Sequence, residues 1–350
     1  MSDGRHADDD RAAATTDPLS VGEAAAVMDR IVENVERVIV GNHDAIEDIL
    51  IVALARGHLL LEDVPGVGKT MLARAVATSI DCSFKRVQFT PDLLPADVTG
   101  VNVFDQRNGE FEFQPGPVFA NVVLTDEINR APPKTQAALL EAMEERQVTV
   151  DGETHALPEP FVVLATQNPV EQEGTFRLPE AQRDRFLVET GLGYPDRAGE
   201  LELLDRRASR RSLAPTVEPL LSPDEVRALQ QVPEDVHVDG ALREYVVDLG
   251  RATRGDDRVA TGVSPRGVQR VFEAARARAV VRGRDYVVPD DVKSVAVPAM
   301  AHRLVLATEA SVGGVARADV IRDVLERVAV PGMDRESAPP DAPESGAGRD

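Results

Sequence analysis

Four short apolar segments alternate with helical segments in the first half of the chain, and this alternation narrows the fold more than any other feature. Strands that are buried on both faces of a sheet read as unbroken apolar runs. When helices separate such strands, the strands pair in parallel and the helices cover both faces. We therefore predict an α/β core built on a parallel sheet. The strand-like segments lie at residues 58–63, 83–90, 121–127 and 161–169.

The chain changes character near Pro195, because almost everything after this residue has a helical pattern. Ser222 and Ser264 each precede a proline at the first helical position, which is a typical helix start. Glu225 adds a capping box to the first of these two starts. We therefore predict a small all-α domain in the C-terminal part.

The predicted organisation has four parts. The α/β core covers residues 19–195, and the helical domain covers residues 196–332. The two ends, residues 1–18 and 333–350, are polar and rich in acidic residues. Segments of this composition bury too little apolar surface to fold, so we expect both ends to be disordered.

The charge balance restricts the partners of the chain. Its formal net charge is −21, from 60 acidic and 39 basic residues. Strong sequence-independent binding of nucleic acid is not expected, because phosphates require a basic surface. Only four of the basic residues are lysines. An acidic surface poor in lysine suits a salt-rich cytosol, where charge repulsion is screened. The alternative is an acidic protein from a genome that prefers arginine codons.

Other features of the composition point to the cytoplasm. No apolar run approaches the roughly 18 residues of a membrane span, and the first residues are polar and acidic, unlike a signal peptide. The single cysteine, Cys82, cannot form an intrachain disulfide and is better explained as a small core residue than as a nucleophile. We expect a cytoplasmic protein without a membrane span.

The segment LEDVPGVGKT, residues 61–70, is typical of a phosphate-binding loop. A strand precedes it and a helix begins at Lys69, so backbone N–H groups of the loop and of the helix N-terminus would face an anion. The usual pattern has glycine where this chain has Asp63. We expect the Asp63 carboxylate to turn away from the phosphates. The candidate nucleotide-binding residues are Pro65, Gly66, Val67, Gly68, Lys69, Thr70 and Met71.

Two more strand ends carry groups that suit nucleotide hydrolysis. Asp126 and Glu127 end an apolar strand, at the edge where parallel sheets bind ligands. Asp126 can hold Mg²⁺ through water, together with Thr70, and Glu127 can polarise the attacking water. Asn168 ends another apolar strand and can position the same water, although an asparagine before proline also forms ordinary turns.

Three arginines are candidates for neutralising charge on a γ-phosphate. Arg183 and Arg185 lie in the segment LPEAQRDRF, and Arg266 lies in the first turn of a predicted helix. A cation in the first turn of a helix opposes the helix dipole, so another interaction must favour an arginine at position 266. An arginine that reaches a transferring phosphoryl group accelerates hydrolysis strongly. The alternative is that these are surface arginines of an arginine-rich chain.

These signals, in this order, resemble an AAA+ ATPase. The segments QFTPDLLPADVTG, FQPGPVFANVVLTDEINRAPPKTQAALLEAMEE and LATQNPVEQEGTFRLPEAQRDRF are similar to the MoxR family in particular, and the similarity covers about residues 20–330. The resemblance implies a P-loop NTPase core with a helical lid domain, and ATP and Mg²⁺ as ligands. It also implies a homo-oligomer, a hexameric ring with ATP bound between subunits.

The resemblance assigns roles to individual residues. Lys69 and Thr70 match the Walker A motif, and Asp126 and Glu127 match Walker B. The arginine finger is Arg185, since its DRF context fits the family, whereas Arg183 stands where the family more often has an apolar residue. The implied catalytic residues are Glu127, Asn168, Arg185 and Arg266. The segment RVIVGN resembles the part that packs on adenine, with Ile39, Val40 and Gly41 as candidates.

Two predicted hairpins mark the subgroup. Alternating apolar residues surround Asn108-Gly109, and Asp151-Gly152 lies in a second such segment; both dipeptides are strong hairpin signals. The resemblance implies that such hairpins face the pore of the ring and touch a client protein. The alternative is that they only brace the domain.

The leading functional hypothesis is Mg²⁺-dependent ATP hydrolysis that remodels or matures a partner protein, as the resemblance implies, with a client or adaptor that often contains a von Willebrand A domain. The motor subunit of a chelatase-like complex is one alternative. A DNA-linked AAA+ motor is another, which the acidic charge and the lack of added nucleic-acid-binding domains disfavour. Glu127, Asn168 and Arg185 together argue against a nucleotide switch that does not hydrolyse.

Overall fold

A computed structural model of the chain describes residues 19–168, 175–176, 178–209 and 217–332. The two ends for which we predict disorder, residues 1–18 and 333–350, lie outside the described residues. Among the described helices, none has the length and apolar character needed to cross a membrane.

The first part of the chain alternates strands and helices, as predicted. Its first helix begins at a capping box, in which Ser20 accepts a hydrogen bond from the backbone N–H of Glu23 and the Glu23 side chain accepts one from that of Ser20. The elements are α1 (Val21–Glu36), α2 (His43–Leu54), β1 (Leu59–Glu62), α3 (Lys69–Ser79), β2 (Phe84–Gln88), α4 (Pro95–Thr99), β3 (Gly100–Asp105), β4 (Glu110–Pro115), β5 (Val122–Asp126), α5 (Pro133–Glu145), β6 (Gln147–Val150), β7 (Glu153–Ala156), β8 (Val162–Gln167), α6 (Glu180–Arg183) and β9 (Val188–Thr190).

Five parallel strands form the central sheet, in the order β2, β5, β8, β1, β9. All four predicted strands belong to this sheet, so the predicted α/β class is confirmed. The fifth strand, β9, was not predicted, since it has only three residues. Because β8 lies between β1 and β5, the loop after β1 and the acids after β5 flank the end of β8.

Alternating side chains of the sheet enter two different cores. Leu59 and Leu61 of β1 belong to one cluster of buried residues, whereas Leu60 belongs to the other. The first cluster runs from α1, α2 and α3 across one sheet face into the C-terminal helices. The second joins the other face to α5 and to Phe161 and Phe186. The helical domain therefore shares a continuous core with the helices beside the sheet, which fixes its position relative to the strands.

The C-terminal part is mainly helical, as predicted. Ser222 and Ser264 cap their helices by accepting the backbone N–H of Glu225 and Gly267. The prediction of an all-α domain needs one correction, because two very short strands pair antiparallel within it. The elements are α7 (Arg197–Ser209), α8 (Pro223–Leu229), α9 (Gly240–Arg254), β10 (Val259–Thr261), α10 (Pro265–Val281), α11 (Pro289–Met300), β11 (Val305–Leu306), α12 (Thr308–Val312) and α13 (Arg317–Arg327).

Both predicted hairpins are present. Strands β3 and β4 pair antiparallel, and so do β6 and β7. In the second hairpin Asp151 and Gly152 have φ angles of 51° and 88°, which suits a tight two-residue turn. In the first, the loop is longer, and only Gly109 has a positive φ, of 71°. The loop closes through the backbone N–H of Gly109, which donates to the carbonyl of Asp105.

Candidate active site

The loop between β1 and α3 has the shape that phosphate binding requires. Gly66 and Gly68 have φ angles of 88° and 100°, a region that side-chain-bearing residues rarely adopt. Gly68 is the N-cap of α3, so the helix begins at Lys69. The Nζ of Lys69 donates to the backbone oxygens of Asp63 and Val64, at 3.0 and 3.2 Å. The ammonium group therefore lies against the loop itself.

The unusual loop residue, Asp63, points away from the phosphate side. One carboxylate oxygen accepts hydrogen bonds from the backbone N–H groups of Leu192 and Gly193, at 2.6 and 2.9 Å. The other accepts from the backbone N–H of Val64 at 2.8 Å. The residue is 7% exposed, and its φ is not positive. The expectation that this carboxylate turns away is confirmed, and its charge is satisfied by the segment that follows β9.

Asp126 and Glu127 stand at the carboxyl end of β5, as predicted. The Thr166 hydroxyl of β8 joins them, since it donates to the Asp126 carboxylate at 3.3 Å and accepts the backbone N–H of Glu127 at 3.0 Å. Glu127 has a φ of 55°, a conformation that is costly for a residue with a side chain and is found often at functional sites. The hydrogen bond to Thr166 helps to hold this conformation.

Two side chains of β2 contact these acids. The Arg86 Nε lies 2.5 Å from Oδ2 of Asp126, and the Gln88 amide donates to Oε2 of Glu127 at 2.9 Å. Arg130 donates to the same oxygen of Glu127 at 3.2 Å. Arg86 and Gln88 were not predicted as site residues. They could have been found from the predicted parallel sheet, because the last residues of β2 reach the same edge of the sheet as those of β5.

A cavity of about 580 Å³ lies over this edge of the sheet. Asp126, Glu127 and Asn168 line it. So do six of the predicted loop residues: Pro65, Gly66, Gly68, Lys69, Thr70 and Met71. Thr70 and Asp126, the predicted ligands of Mg²⁺, offer only oxygen donors, the type that this ion prefers, so the residues fit it.

The apolar end of the cavity differs from the prediction. Val38, Ala75 and Val217 line it. The predicted adenine contacts Ile39, Val40 and Gly41 do not line the cavity. The side chain of Ile39 belongs to the same buried cluster as Val38. In the turn that continues α1, the N–H groups of Val38 and Ile39 both donate to the carbonyl of Val35. This turn brings Val38 to the cavity instead. Val67 is also absent from the lining, because its side chain packs on that cluster.

The two arginines expected to reach a γ-phosphate lie together in a second cavity, of about 410 Å³. Arg185 and Arg266 bind the two carboxylate oxygens of Glu144 on α5, with distances of 3.1 and 2.7 Å. Arg266 therefore pairs with a carboxylate of its own chain and does not line the first cavity. The start of α10 is placed by the packing of this helix against α1, α2 and α11, a tertiary effect that local sequence does not reveal.

The two cavities share no lining residue, and they lie at opposite ends of the parallel sheet. The first surrounds the residues that follow β1, β5 and β8. The second includes Gly57 and His58, which precede β1, and Arg185, which precedes β9. The six residues of β8 span roughly 20 Å between the two ends. Arg185 and Arg266 therefore cannot reach a nucleotide in the first cavity of the same chain.

Arg183 does not line the second cavity. Its guanidinium lies 3.2 Å from the carboxylate of Glu189 on β9, and both side chains are largely buried. Arg185 is more exposed and faces the second cavity. Of the two arginines that the sequence offers as a finger, the structure leaves Arg185 facing the open cavity.

The second cavity is basic, although the chain as a whole is acidic. Four more arginines line it, and these were not singled out from the sequence: Arg56, Arg146, Arg270 and Arg276. They come from the ends of α2 and α5 and from α10, which are distant along the chain, so no local motif identifies them. Three glutamates also line the cavity and pair with four of its arginines: Glu144 with Arg185 and Arg266, Glu273 with Arg270, and Glu234 with Arg276. Six arginines against three glutamates still leave a basic surface, which is suited to an anion.

Comparison with protein families agrees with this geometry. The model of the family described as "ATPase family associated with various cellular activities (AAA)" matches residues 58–188. The model of the AAA lid domain matches residues 251–324. The first range contains the phosphate loop, both acids and Arg185, and the second contains Arg266. The chain therefore has the nucleotide-hydrolysing core and the lid of the AAA+ ATPases.

Individual relatives narrow the family. An uncharacterized protein of Bacillus subtilis, YeaC, is 48% identical over 87% of this chain and 95% of its own length. The chaperone MoxR1 of Mycobacterium tuberculosis is 44% identical over 89% of this chain and 84% of its own length. A crystal structure of a candidate ATPase from Cytophaga hutchinsonii superposes with a TM-score of 0.82 and 38% identity, covering 88% of this chain and 96% of that one. Taken with the loop at Lys69 and the acids after β5, these matches show that the chain is an ATPase of the MoxR family of AAA+ proteins.

Proposed function

We propose that the chain hydrolyses ATP with Mg²⁺ at a site completed by a neighbouring copy, within a hexameric ring in the cytoplasm, and that it uses this hydrolysis to remodel a partner protein. One observation carries the proposal. The groups that would bind and hydrolyse ATP lie at the carboxyl end of the sheet, and the two arginines suited to the γ-phosphate lie at the amino end. A second copy must bring the two sets together.

The roles of the residues follow from their placement. Lys69, which now lies against the loop carbonyls, would turn toward the β- and γ-phosphates. Glu127 would accept the proton of the attacking water, and Asn168 would orient that water. Arg185 and Arg266 of the neighbour would neutralise charge that develops on the γ-phosphate.

Magnesium would be held by Thr70 and Asp126. A bound magnesium ion would supply positive charge that offsets the charge developing on the phosphates. The carboxylate of Asp126 must exchange its contact with Arg86 for this role. Arg86 is half-exposed, so its guanidinium can swing into solvent without burying a charge.

A head-to-tail contact of this kind joins two different surfaces, the first cavity of one copy and the second cavity of the next. Heterologous contacts close into rings when the rotation between copies permits. The basic second cavity suits this arrangement, since it would face the phosphates of a bound nucleotide. The proposal of a hexamer rests on the family to which the chain belongs.

Remodelling is proposed from the relative that is named a chaperone and from the two hairpins. The β3–β4 hairpin exposes Phe104 and Phe111, which are 50% and 72% accessible. Exposed aromatic side chains at the tip of a hairpin are suited to gripping a client chain. A protein with a von Willebrand A domain is the proposed client or adaptor, and stimulation of ATP turnover by such a protein from the same source is the test of that part.

The test of a shared site is the ATPase rate per subunit as a function of protein concentration. We expect this rate to fall when dilution separates the copies, because Arg185 then has no neighbour to serve. Light scattering at each concentration gives the oligomeric state. A full rate per subunit in samples that contain only monomers would exclude a shared site.

Mixed oligomers give a second test. Arg185→Ala should bind ATP nearly normally and hydrolyse it about 10³-fold or more slowly, and Lys69→Ala should lose nucleotide binding. Mixing the two at equal amounts should restore activity at about a quarter of the contacts, where an Arg185→Ala pocket meets a Lys69→Ala neighbour. Arg183→Ala is the matched control. It removes an arginine paired with Glu189, so its own loss of rate should be smaller.

A further inference from the structure

One buried arginine of the lid contacts the segment that carries the arginine finger. Arg303, in the short turn after α11, has a side chain that is 2% exposed. Its Nε donates to the Asp184 carboxylate at 2.7 Å. Its Nη2 donates to the backbone oxygens of Asp184 and Phe186, at 3.2 and 2.6 Å, and its Nη1 donates to that of Leu187 at 3.2 Å. Arg303 thus binds the residues on both sides of Arg185.

The same arginine lies against the start of α10, which carries Arg266. A Cβ atom at Gly267 would lie 2.7 Å from Cγ1 of Val263, and 2.8 Å from Cδ and 3.2 Å from Nε of Arg303. No side chain fits between them, so the stem of Arg303 passes directly over the backbone next to Arg266. The position therefore requires glycine because of close approach, and not because of its φ angle.

The neighbouring His302 strengthens this connection. Its Nε2 accepts a hydrogen bond from Nη1 of Arg303 at 2.8 Å, so Nδ1 carries the ring proton and donates to the carbonyl oxygen of Pro298 at 3.1 Å. Phe186 is fully buried in the second core cluster. The finger segment is thereby fixed to the sheet by Phe186 and to the lid by Arg303, whose guanidinium His302 helps to orient.

We propose that Arg303 is a positioning residue that holds Arg185 and Arg266 in register, so that both arginines arrive together at the nucleotide of the neighbouring copy. The proposal rests on the shared site described above. It explains why a guanidinium is buried here: a planar fork can satisfy a carboxylate and several carbonyls at once, which an ammonium group cannot. Arg303 touches no substrate, and it acts only through the two arginines.

The first variant is Arg303→Lys, which keeps the charge and loses the fork. Displacement of a catalytic group by about 1 Å can reduce a rate about 10²-fold, so we expect kcat to fall by about tenfold to hundredfold. The affinity of the variant's own pocket for ATP, its KM and its oligomeric state should stay close to those of the parent chain. Arg258→Lys is the control, because Arg258 also binds two lid carboxylates, Asp256 and Asp323, but does not contact the finger segment.

Two milder variants cover the case in which Arg303→Lys does not fold. Asp184→Asn keeps the shape of the contact and removes its charge. Gly267→Ala leaves every hydrogen-bond donor in place and pushes the stem of Arg303 together with the buried side chain of Val263. Both should lower kcat in the same way, by a smaller factor. A normal kcat in both variants, with folding intact, would overturn the proposal.

Complementation separates a positioning role from a general structural one. Mixed with Lys69→Ala subunits, Arg303→Lys subunits should regain activity, because their pockets are sound and the neighbour supplies sound arginines. Mixed with Arg185→Ala subunits they should gain nothing, because no contact then has both a sound pocket and a sound pair of arginines.

The reverse pattern, recovery with Arg185→Ala and none with Lys69→Ala, would place the defect in the variant's own pocket and overturn the proposal. Recovery with both partners, or with neither, would also overturn it. The reference is the pair Lys69→Ala and Arg185→Ala. If that pair regains no activity, the shared site itself is wrong, and the role of Arg303 falls with it.

Discussion

The carboxylate of Asp63 lies 2.6 Å from the backbone nitrogen of Leu192, so the first residue of the phosphate loop is bonded to the segment that leads from the sheet to the lid. Asp63→Ala removes a charged acceptor from the N–H groups of Leu192 and Gly193. We expect the free energy of unfolding to fall by about 2–3 kcal/mol, as for hydrogen bonds to charged groups. Urea denaturation measures this loss.

The control for this variant is Asp196→Ala, which removes an exposed carboxylate that accepts one backbone N–H from Gly199 nearby; its cost should be below about 1 kcal/mol. The affinity for ATP tests the orientation of Asp63 separately. If ATP bound about tenfold more tightly to Asp63→Ala, a gain of about 1.4 kcal/mol, the carboxylate would have been repelling the phosphates and our assignment would be wrong.

Glu127→Gln tests the proposed general base. The amide can keep the contact with the Gln88 side chain by a flip, but it cannot accept a proton from water. ATP binding should stay near normal while turnover falls by about 10²-fold to 10⁴-fold. Isothermal titration and a phosphate-release assay measure the two quantities. The exposed Glu141→Gln on α5 serves as the control, and unchanged turnover in Glu127→Gln would remove this residue from the mechanism.

Arg86→Ala should lower the concentration of Mg²⁺ needed for turnover. The guanidinium of Arg86 pairs with Asp126 and competes with a cation for that carboxylate. A half-exposed pair contributes up to about 1 kcal/mol, so half-saturation should shift about fivefold lower. Lys85→Ala removes the same charge from a neighbouring position of β2 and should leave the Mg²⁺ requirement unchanged. A higher requirement in Arg86→Ala would show that Arg86 assists the ion instead.

His58 should make the protein sensitive to acid. Burial, followed by the charge of Arg146, lowers the pKa of His58 to about 3, below the value of about 6.5 in an unfolded chain. Between these two values the unfolded chain binds a proton that the folded chain does not. The free energy of unfolding therefore decreases as pH falls through this window, by up to about 1.4 kcal/mol per pH unit for this residue.

His58→Gln should remove that share of the pH dependence, although it also weakens the bonds to Met143 and Val163. Urea denaturation at several values between pH 4 and pH 7 gives the slope. The exposed His43→Gln is the control, because the pKa of His43 is raised by its hydrogen bond to Glu36 and acts in the opposite sense. Equal slopes for the parent chain and His58→Gln would show that folding does not lower the pKa of His58.

Local sequence patterns predicted those parts of the site whose residues all lie at the end of one strand. The loop at Lys69 and the pair at Asp126 lie where a buried strand gives way to a turn, and this placement is visible in ten residues or fewer. The strand order, the short β9 and the side on which Arg266 lies were not predictable in this way. The place of Arg266 depends on how α10 packs against α1 and α2, and the strand order depends on pairings between strands far apart in the chain.

The contact between Asp63 and the segment after β9 was predictable only in part. The repulsion expected between a carboxylate and phosphates indicates that the side chain must turn away. Which partners it finds depends on the register of β9 beside β1, where Leu61 lies opposite Thr190. The same applies to Val38, whose place in the cavity follows from the turn that ends α1.

If each site is shared between two copies, as we propose, the placement of the two cavities at opposite ends of each subunit sets how many working sites an assembly has. An open row of n copies would contain n − 1 complete sites, because one terminal pocket would lack the arginines of a neighbour and the arginines at the other end would lack a pocket. Closure of the row supplies the missing one. A pair of copies would therefore run at about half the rate per copy of a closed assembly. Any partner that opens a closed assembly at one interface would lower its ATPase rate, whichever copy the partner binds.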